Sequence, residues 1–275
     1  MDFGFIIPTC CREDIHLRQL YRCINSIRKF YLNKHIILIN DSPEKYDIVK
    51  IFSAHKNIQV IKTYKKGSAD QQVFKVLLET TLFDKAIFIQ DSMILNKKIE
   101  HIEKINDIMF IWPASNHRVH WDKIKEKPTK YNKDNNIKTH TDLIKHYLFK
   151  DYSNVIDFQK NAVENLTKFK DNWYNCMGCC CIMTRKNIYH MNNNTGFAEK
   201  FINYDTNRLR RVNESIFPLL CNYYFPNVDF SKSINGFYYD GSLSWKFNKR
   251  DELAGIDNLR WCVVNEYFSK ISFNR

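Results

Sequence analysis

Between Phe3 and Leu95 the apolar residues follow two patterns, short continuous runs and stretches with a helical period. Residues 3–8 (FGFIIP) form an apolar run ended by proline, which predicts a buried strand. Leu17, Leu20, Tyr21, Ile24, Ile27 and Tyr31 follow at helical spacing, with Arg18, Asn25 and Arg28 between them, and predict an amphipathic helix. Residues 35–40 (HIILIN) read as a second buried strand, closed by the turn-forming Asp41-Ser42-Pro43. A short helix over 43–52 and a third strand over 58–61 come next. Ser68 is expected to start a helix, with Gln71 as its capping-box partner and Ala69, Val73, Val76 and Leu77 on the inner face. Residues 86–89 make a fourth strand that leads into Gln90-Asp91-Ser92. Alternation of this kind predicts an α/β fold with a mostly parallel central sheet flanked by helices.

The pattern is less regular afterwards. A strand is expected over 108–112, and a helix over 141–149. Segment 117–138 is polar, rich in lysine and without apolar period, so it reads as a long loop or lid; His117, His120 and His140 in and beside it are read as solvated. Residues 179–183 predict a late buried strand before a short helix. Segment 208–223 predicts a helix with Leu209, Val212, Ile216, Leu219 and Leu220 on one face, which Pro218 should kink or end early. From Asp229 onward the chain mixes aromatic, strand-like pieces.

Composition narrows the class. A chain of 275 residues with 44% hydrophobic and 15% aromatic content is globular and long enough for a large core. Only 7 glycines and 6 prolines argue against a linker-rich array. Strand-like sequence from Phe3 leaves no room for a leader, and no apolar run approaches the ~18 residues of a membrane span, so a soluble, cytoplasmic protein is expected. The 9 cysteines are odd in number and partly adjacent, which suits no disulfide framework. Cys176 and Cys179 have C-x-x-C spacing without a second ligand pair, so Cys179, Cys180 and Cys181 are expected to pack as small apolar residues. A formal charge of +12 implies an anionic partner such as a nucleotide diphosphate, a membrane surface, an acidic glycan or nucleic acid.

In a parallel sheet, ligands bind beyond the carboxyl ends of the strands. Pro8-Thr9-Cys10, Asp41-Ser42 and Gln90-Asp91-Ser92 stand at such ends. A carboxylate at the second could accept from a base or ribose, and one at the fourth could meet ribose or a metal on a pyrophosphate. For each aspartate alone a local turn cap is the simpler reading; together they suggest one crevice.

FIIPTCCRED, then Cys23-Ile24-Asn25-Ser26-Ile27, then IILINDSPE, KGSADQQ and AIFIQDSMIL form an ordered set over 3–95. This set resembles the GT-A glycosyltransferases of the family-2 type, and is similar to compact, anchor-free enzymes of large DNA viruses and some bacteria. The resemblance implies one Rossmann-like GT-A domain over 1–275, with a nucleotide-binding half at 1–95 and an acceptor and catalytic half at 96–275. It implies a nucleotide-sugar donor held by Pro8, Thr9, Asp41, Gln71, Gln90, Asp91 and Ser92. In place of the family's D-x-D metal motif stands Gln90-Asp91-Ser92, so Asp91 alone could hold Mg2+ or Mn2+, or Lys and Arg could neutralise the diphosphate instead.

Inverting transfer to a glycan hydroxyl needs a carboxylate base. Trp173-Tyr174-Asn175-Cys176-Met177-Gly178 resembles the family's glycine-containing segment, and RRVNESIF places Glu214 where its base stands; Asp205 and Asp240 come next. Glu214 lies off the apolar stripe of its helix, and a surface pair with Arg210 or Arg211 is the plainer reading. Trp112, Trp173, Tyr174 and Trp245 could stack on sugars, with Trp112 and Trp173 taken as acceptor contacts; aromatics are more often core residues. Two other function classes remain open. One is a catalytically inactive scaffold that binds nucleotide or glycan; the other is nucleic-acid binding through the lysine-rich loop, which carries no known motif. A sugar nucleotidyltransferase would need a glycine-rich N-terminal loop that is absent here.

Overall fold

The computed structural model describes residues 2–115, 135, 137–168, 174–203, 207–230, 232–233, 259–264 and 267–273. Strand β1 (Phe3–Thr9) is buried along its whole length. Helix α1 (Asp14–Phe30) buries Leu20, Cys23, Ile24 and Ile27 on one side. Strand β2 (Ile36–Asn40), helix α2 (Ile48–Phe52) and strand β3 (Ile58–Lys62) follow, close to the expected positions. A 3-10 turn (Ala69–Gln71) precedes helix α3 (Val73–Glu79), and strand β4 (Lys85–Phe88) ends before Gln90. Strands β5 (Met93–Leu95), β6 (Met109–Phe110) and β7 (Pro113–Ser115) are short.

The second half supplies helices α4 (His140–Asp151) and α5 (Ile156–Lys168), then strand β8 (Tyr174–Cys176) and strand β9 (Cys181–Thr184). Helices α6 (Arg185–Thr195), α7 (Phe197–Phe201) and α8 (Asn207–Tyr224) come next. Strands β10 (Leu259–Val264) and β11 (Phe268–Phe273) close the described chain.

The main sheet has the order β3-β2-β1-β4-β9-β6. Its β3, β2, β1 and β4 run parallel, while β9 is antiparallel to both β4 and β6. The fold is therefore mixed α/β with a mostly parallel central sheet flanked by helices. Successive β1 residues serve opposite faces: Ile6 joins one core, Phe5 and Ile7 the other. A strand covered on both faces must be apolar throughout, which is why FGFIIP shows no alternation. On the Ile6 side, Phe74 of α3 meets Phe197 of α7 at 5.3 Å and Phe217 of α8 at 4.6 Å between ring centroids. That contact binds the two halves of the chain.

Four sequence expectations change. Ser68 makes no cap; a 3-10 turn intervenes, and it is Gln72, not Gln71, whose amide donates to Ser68 Oγ at 2.7 Å. The single strand expected over 108–112 is two short ones, because the chain bends at Ile111 and Trp112 to leave the main sheet for the β7–β8 pair. The late strand starts at Cys181, since Gly178 and Cys179 have φ of 60° and 53° and form a turn. Helix α8 runs through Pro218 without ending. Proline cannot donate to the Glu214 carbonyl four residues back, yet Phe217, Leu219, Leu220 and Cys221 around it are fully buried, and that packing outweighs the local break. Helix α5, with Phe158, Ala162 and Leu166 buried at helical spacing, was not foreseen. Most of the lysine-rich loop, with His117 and His120, lies outside the described residues, as does Cys262's side chain.

Gly4 in the central strand has Phe83 against it: a Cβ there would sit 2.2 Å from the ring. Gly4→Ala is expected to lower unfolding stability by roughly 1–3 kcal/mol through overpacking, measured by denaturant titration. Unchanged stability would mean that Phe83 has another place to go.

Candidate active site

Parallel pairing puts the carboxyl ends of β1, β2 and β4 along one edge. In register, Thr9 stands beside Asn40, and Ile6 beside Phe88. The loops leaving this edge are tied to each other by polar contacts. Asp91 is only 8% exposed, and its Oδ2 accepts from the Thr9 hydroxyl at 3.2 Å and from the Cys10 N–H at 3.3 Å. The Asp41 N–H donates to the Thr9 carbonyl at 2.9 Å, and the Cys11 N–H to Ser42 Oγ at 2.8 Å. Asp41 accepts the Gly67 N–H on both carboxylate oxygens, at 3.0 and 2.8 Å. Thus the first, second and fourth strand ends do converge, and the Gly67 turn joins them.

Burial pushes the Asp41 carboxyl above its ordinary value, against the pull of the Gly67 N–H, Arg210 and Arg12. Arg210 comes from α8, whose first turns lie over this edge. Its guanidinium donates to the Gly67 carbonyl at 2.5 Å and pairs with Asp70 at 3.3 Å. So Arg210 does not make the surface pair with Glu214 that helical spacing allowed.

One turn further along α8, Glu214 is half-buried, and its Oε1 accepts the Gly178 N–H at 3.0 Å. Gly178 in turn packs under Gln90: a Cβ on it would lie 2.8 Å from Gln90 Nε2. Gln90 Oε1 accepts from Lys270 of β11. A continuous line therefore runs from Lys270 through Gln90 and Gly178 to Glu214, and it passes the turn that holds Asp91.

Of the expected site residues, Thr9, Asp41, Gln90, Asp91 and Glu214 meet here. Ser92 is buried beside them, and Gln71 is 3% exposed in the turn after Asp70. Pro8 is buried inside β1 and can offer a ligand only its backbone. Trp112 is a correction: the indole is 0% exposed within the core packed on α1, so it presents no face to a sugar. Trp173, Trp245, Asp205 and Asp240 lie outside the described residues, and of Tyr174 only the backbone is described. Cys23 and Ser26 have structural roles. Cys23 is buried, and Ser26 Oγ accepts the Leu95 N–H at 2.9 Å, fixing α1 to β5. Sequence reading missed Lys270 altogether. Nothing in its local pattern marks it, because its position depends on a strand pairing across the whole chain.

A divalent metal fits poorly. Mg2+ or Mn2+ wants several hard oxygen ligands. Among the described residues this turn offers a single carboxylate, already accepting two hydrogen bonds, flanked by an amide that holds a lysine and by a buried serine. Among the described residues no group of three or more His, Cys, Asp or Glu could hold a metal ion. Cys176, Cys179, Cys180 and Cys181 are buried free thiols, and burial raises the pKa of each. No helix among the described residues is long and apolar enough to cross a membrane.

Because the folded state disfavours ionised Asp41, its burial costs stability once pH rises through the raised pKa. Asp41→Asn keeps an oxygen for the Gly67 N–H and removes the charge. It should melt above wild type at pH 7, with the gap narrowing as pH falls toward the ordinary carboxylate value of 3.8. A gap that widened on acidification would contradict this account.

No protein-family model and no curated protein matches the chain. Among solved structures it is similar to S. aureus TarS, with 19% identity and a TM-score of 0.32 over 46% of this chain and 24% of that one. It is similar to TarS 1–349 in complex with UDP, with 20% identity and a TM-score of 0.32 over 46% and 40% of the two chains. Against the WbbM bifunctional glycosyltransferase apo structure the identity is 15% and the TM-score 0.44, over 83% and 38%. The chain spans half or less of the length of these structures.

Proposed function

We propose that this chain is a glycosyltransferase that moves a sugar from a nucleotide-sugar donor to a glycan hydroxyl with inversion. One observation carries the reading: the strand-end crevice of Thr9, Asp41 and Asp91 is joined through Gly178 to a half-buried carboxylate, Glu214, on a different element. A nucleotide fits the strand-end edge of such a sheet. Asp41 would take a base or ribose donor group, with Thr9, Gln90, Asp91 and Ser92 around the diphosphate and Gln71 behind them.

Glu214 would act as general base. The Gly178 N–H donates to Oε1 and orients the carboxylate that would take the acceptor proton. As that proton leaves, the acceptor oxygen forms its bond to the anomeric carbon. The bond from that carbon to the nucleoside diphosphate breaks on the opposite side, and inversion follows. Trp173 remains the proposed acceptor contact.

Glu214→Gln keeps an oxygen for the Gly178 N–H, so the fold should hold. Its turnover of nucleotide sugar should fall by about 10²–10⁴-fold, read by nucleoside diphosphate release beside a circular-dichroism melt. A variant with wild-type turnover would remove Glu214 from the role. The shortage of metal ligands among the described residues favours a second reading, a binding scaffold without activity. That reading expects nucleoside diphosphates to raise the melting temperature of wild type while no transfer or donor hydrolysis occurs.

A further inference from the structure

A cation of the chain itself stands at Gln90, the residue before Asp91. Lys270 Nζ donates to Gln90 Oε1, one residue before the acidic position. The lysine is firmly placed, because β11 pairs antiparallel with β5 and sets Lys270 opposite Met93, two residues beyond Asp91. The neighbouring contacts reinforce this register. Asn96 N–H donates to the Tyr267 carbonyl at 2.8 Å, and the Asn96 amide to Ser269 Oγ at 2.8 Å. Lys270 is half-buried, and its charge also reaches the Cys180 thiol beneath the Gly178 turn. An ammonium here repels a divalent cation and attracts a diphosphate, while Asp91 stays committed to Thr9 and Cys10.

We infer that Lys270 serves as the diphosphate-binding cation of this site, so that the chain binds a nucleoside diphosphate without a divalent metal. The inference rests on the donor-site reading above and deepens it. In chemical terms, a fixed ammonium would meet the charge that builds on the leaving diphosphate, a task otherwise given to a metal ion. Its carrier is a strand from the far end of the chain, so the donor site is complete only when β11 is paired with β5.

The test uses the full chain. UDP, GDP, CDP, dTDP and ADP are screened by thermal shift, and the best binder and its monophosphate are titrated calorimetrically in excess EDTA and again in Mn2+. Wild type should prefer the diphosphate in EDTA, with Mn2+ changing its affinity by less than about twofold. Lys270→Met should lose about tenfold or more in diphosphate affinity, leave the monophosphate nearly unaffected, and be largely rescued in Lys270→Arg. Loss of the diphosphate preference in EDTA would overturn the inference, as would an unchanged preference in a folded Lys270→Met. The EDTA arm needs no variant, so a Lys270→Met chain that failed to fold would still leave the inference open to refutation. If no nucleoside diphosphate bound wild type in either buffer, the donor-site reading itself would fail and take this one with it.

Discussion

The antiparallel ladder between β4 and β9 is the constraint on which the rest of the molecule depends. Strand β4 ends the regular α/β half of the chain, and β9 arrives nearly a hundred residues later to pair Ile87 with Ile182 and Lys85 with Thr184. Being antiparallel, β9 begins where β4 ends. The turn just before it, at Gly178, is therefore brought against Gln90 at the mouth of the crevice. Helix α8 packs on that same turn and adds Arg210 and Glu214. Without this ladder the strand-end edge would have no second half to face.

The turn at Gly178 shows how tightly the junction is specified. Two successive residues, Gly178 and Cys179, take left-handed backbone conformations, and the second is not glycine. Such a conformation costs on the order of 1–2 kcal/mol for an ordinary residue. It is stabilised here by the buried thiols around it and by the Glu214 carboxylate on the Gly178 N–H. The cysteine cluster follows from this crowding: thiols are small, apolar enough for full burial, and tolerant of a narrow space.

Charge is distributed with equal economy. The excess of +12 is spread widely over the sequence, but around the crevice a few charges have defined partners. Arg210 is taken up by Asp70 and Gly67, and holds α8 over the Asp41 loop. Lys270 donates to Gln90, one residue before Asp91. One cation thus clamps α8 to the Gly67 turn, and the other ties β11 to the turn after β4.

The sequence by itself determined the α/β class, the four parallel strands and the strand-end positions of Thr9, Asp41 and Asp91, because buried runs and amphipathic helices are written locally in side-chain order. It also placed Glu214 off the apolar face of its helix. What it could not determine was anything set by pairing across long separations. Trp112 looked available to a sugar, but the bend that carries it into the core depends on β8 and β9. Pro218 looked like a helix end, but buried neighbours on both sides carry α8 through it. Lys270 had no local mark at all, since only the β11–β5 register brings it to Gln90. Local pattern decides which element a segment becomes; tertiary contact decides which side chains that element delivers to the crevice.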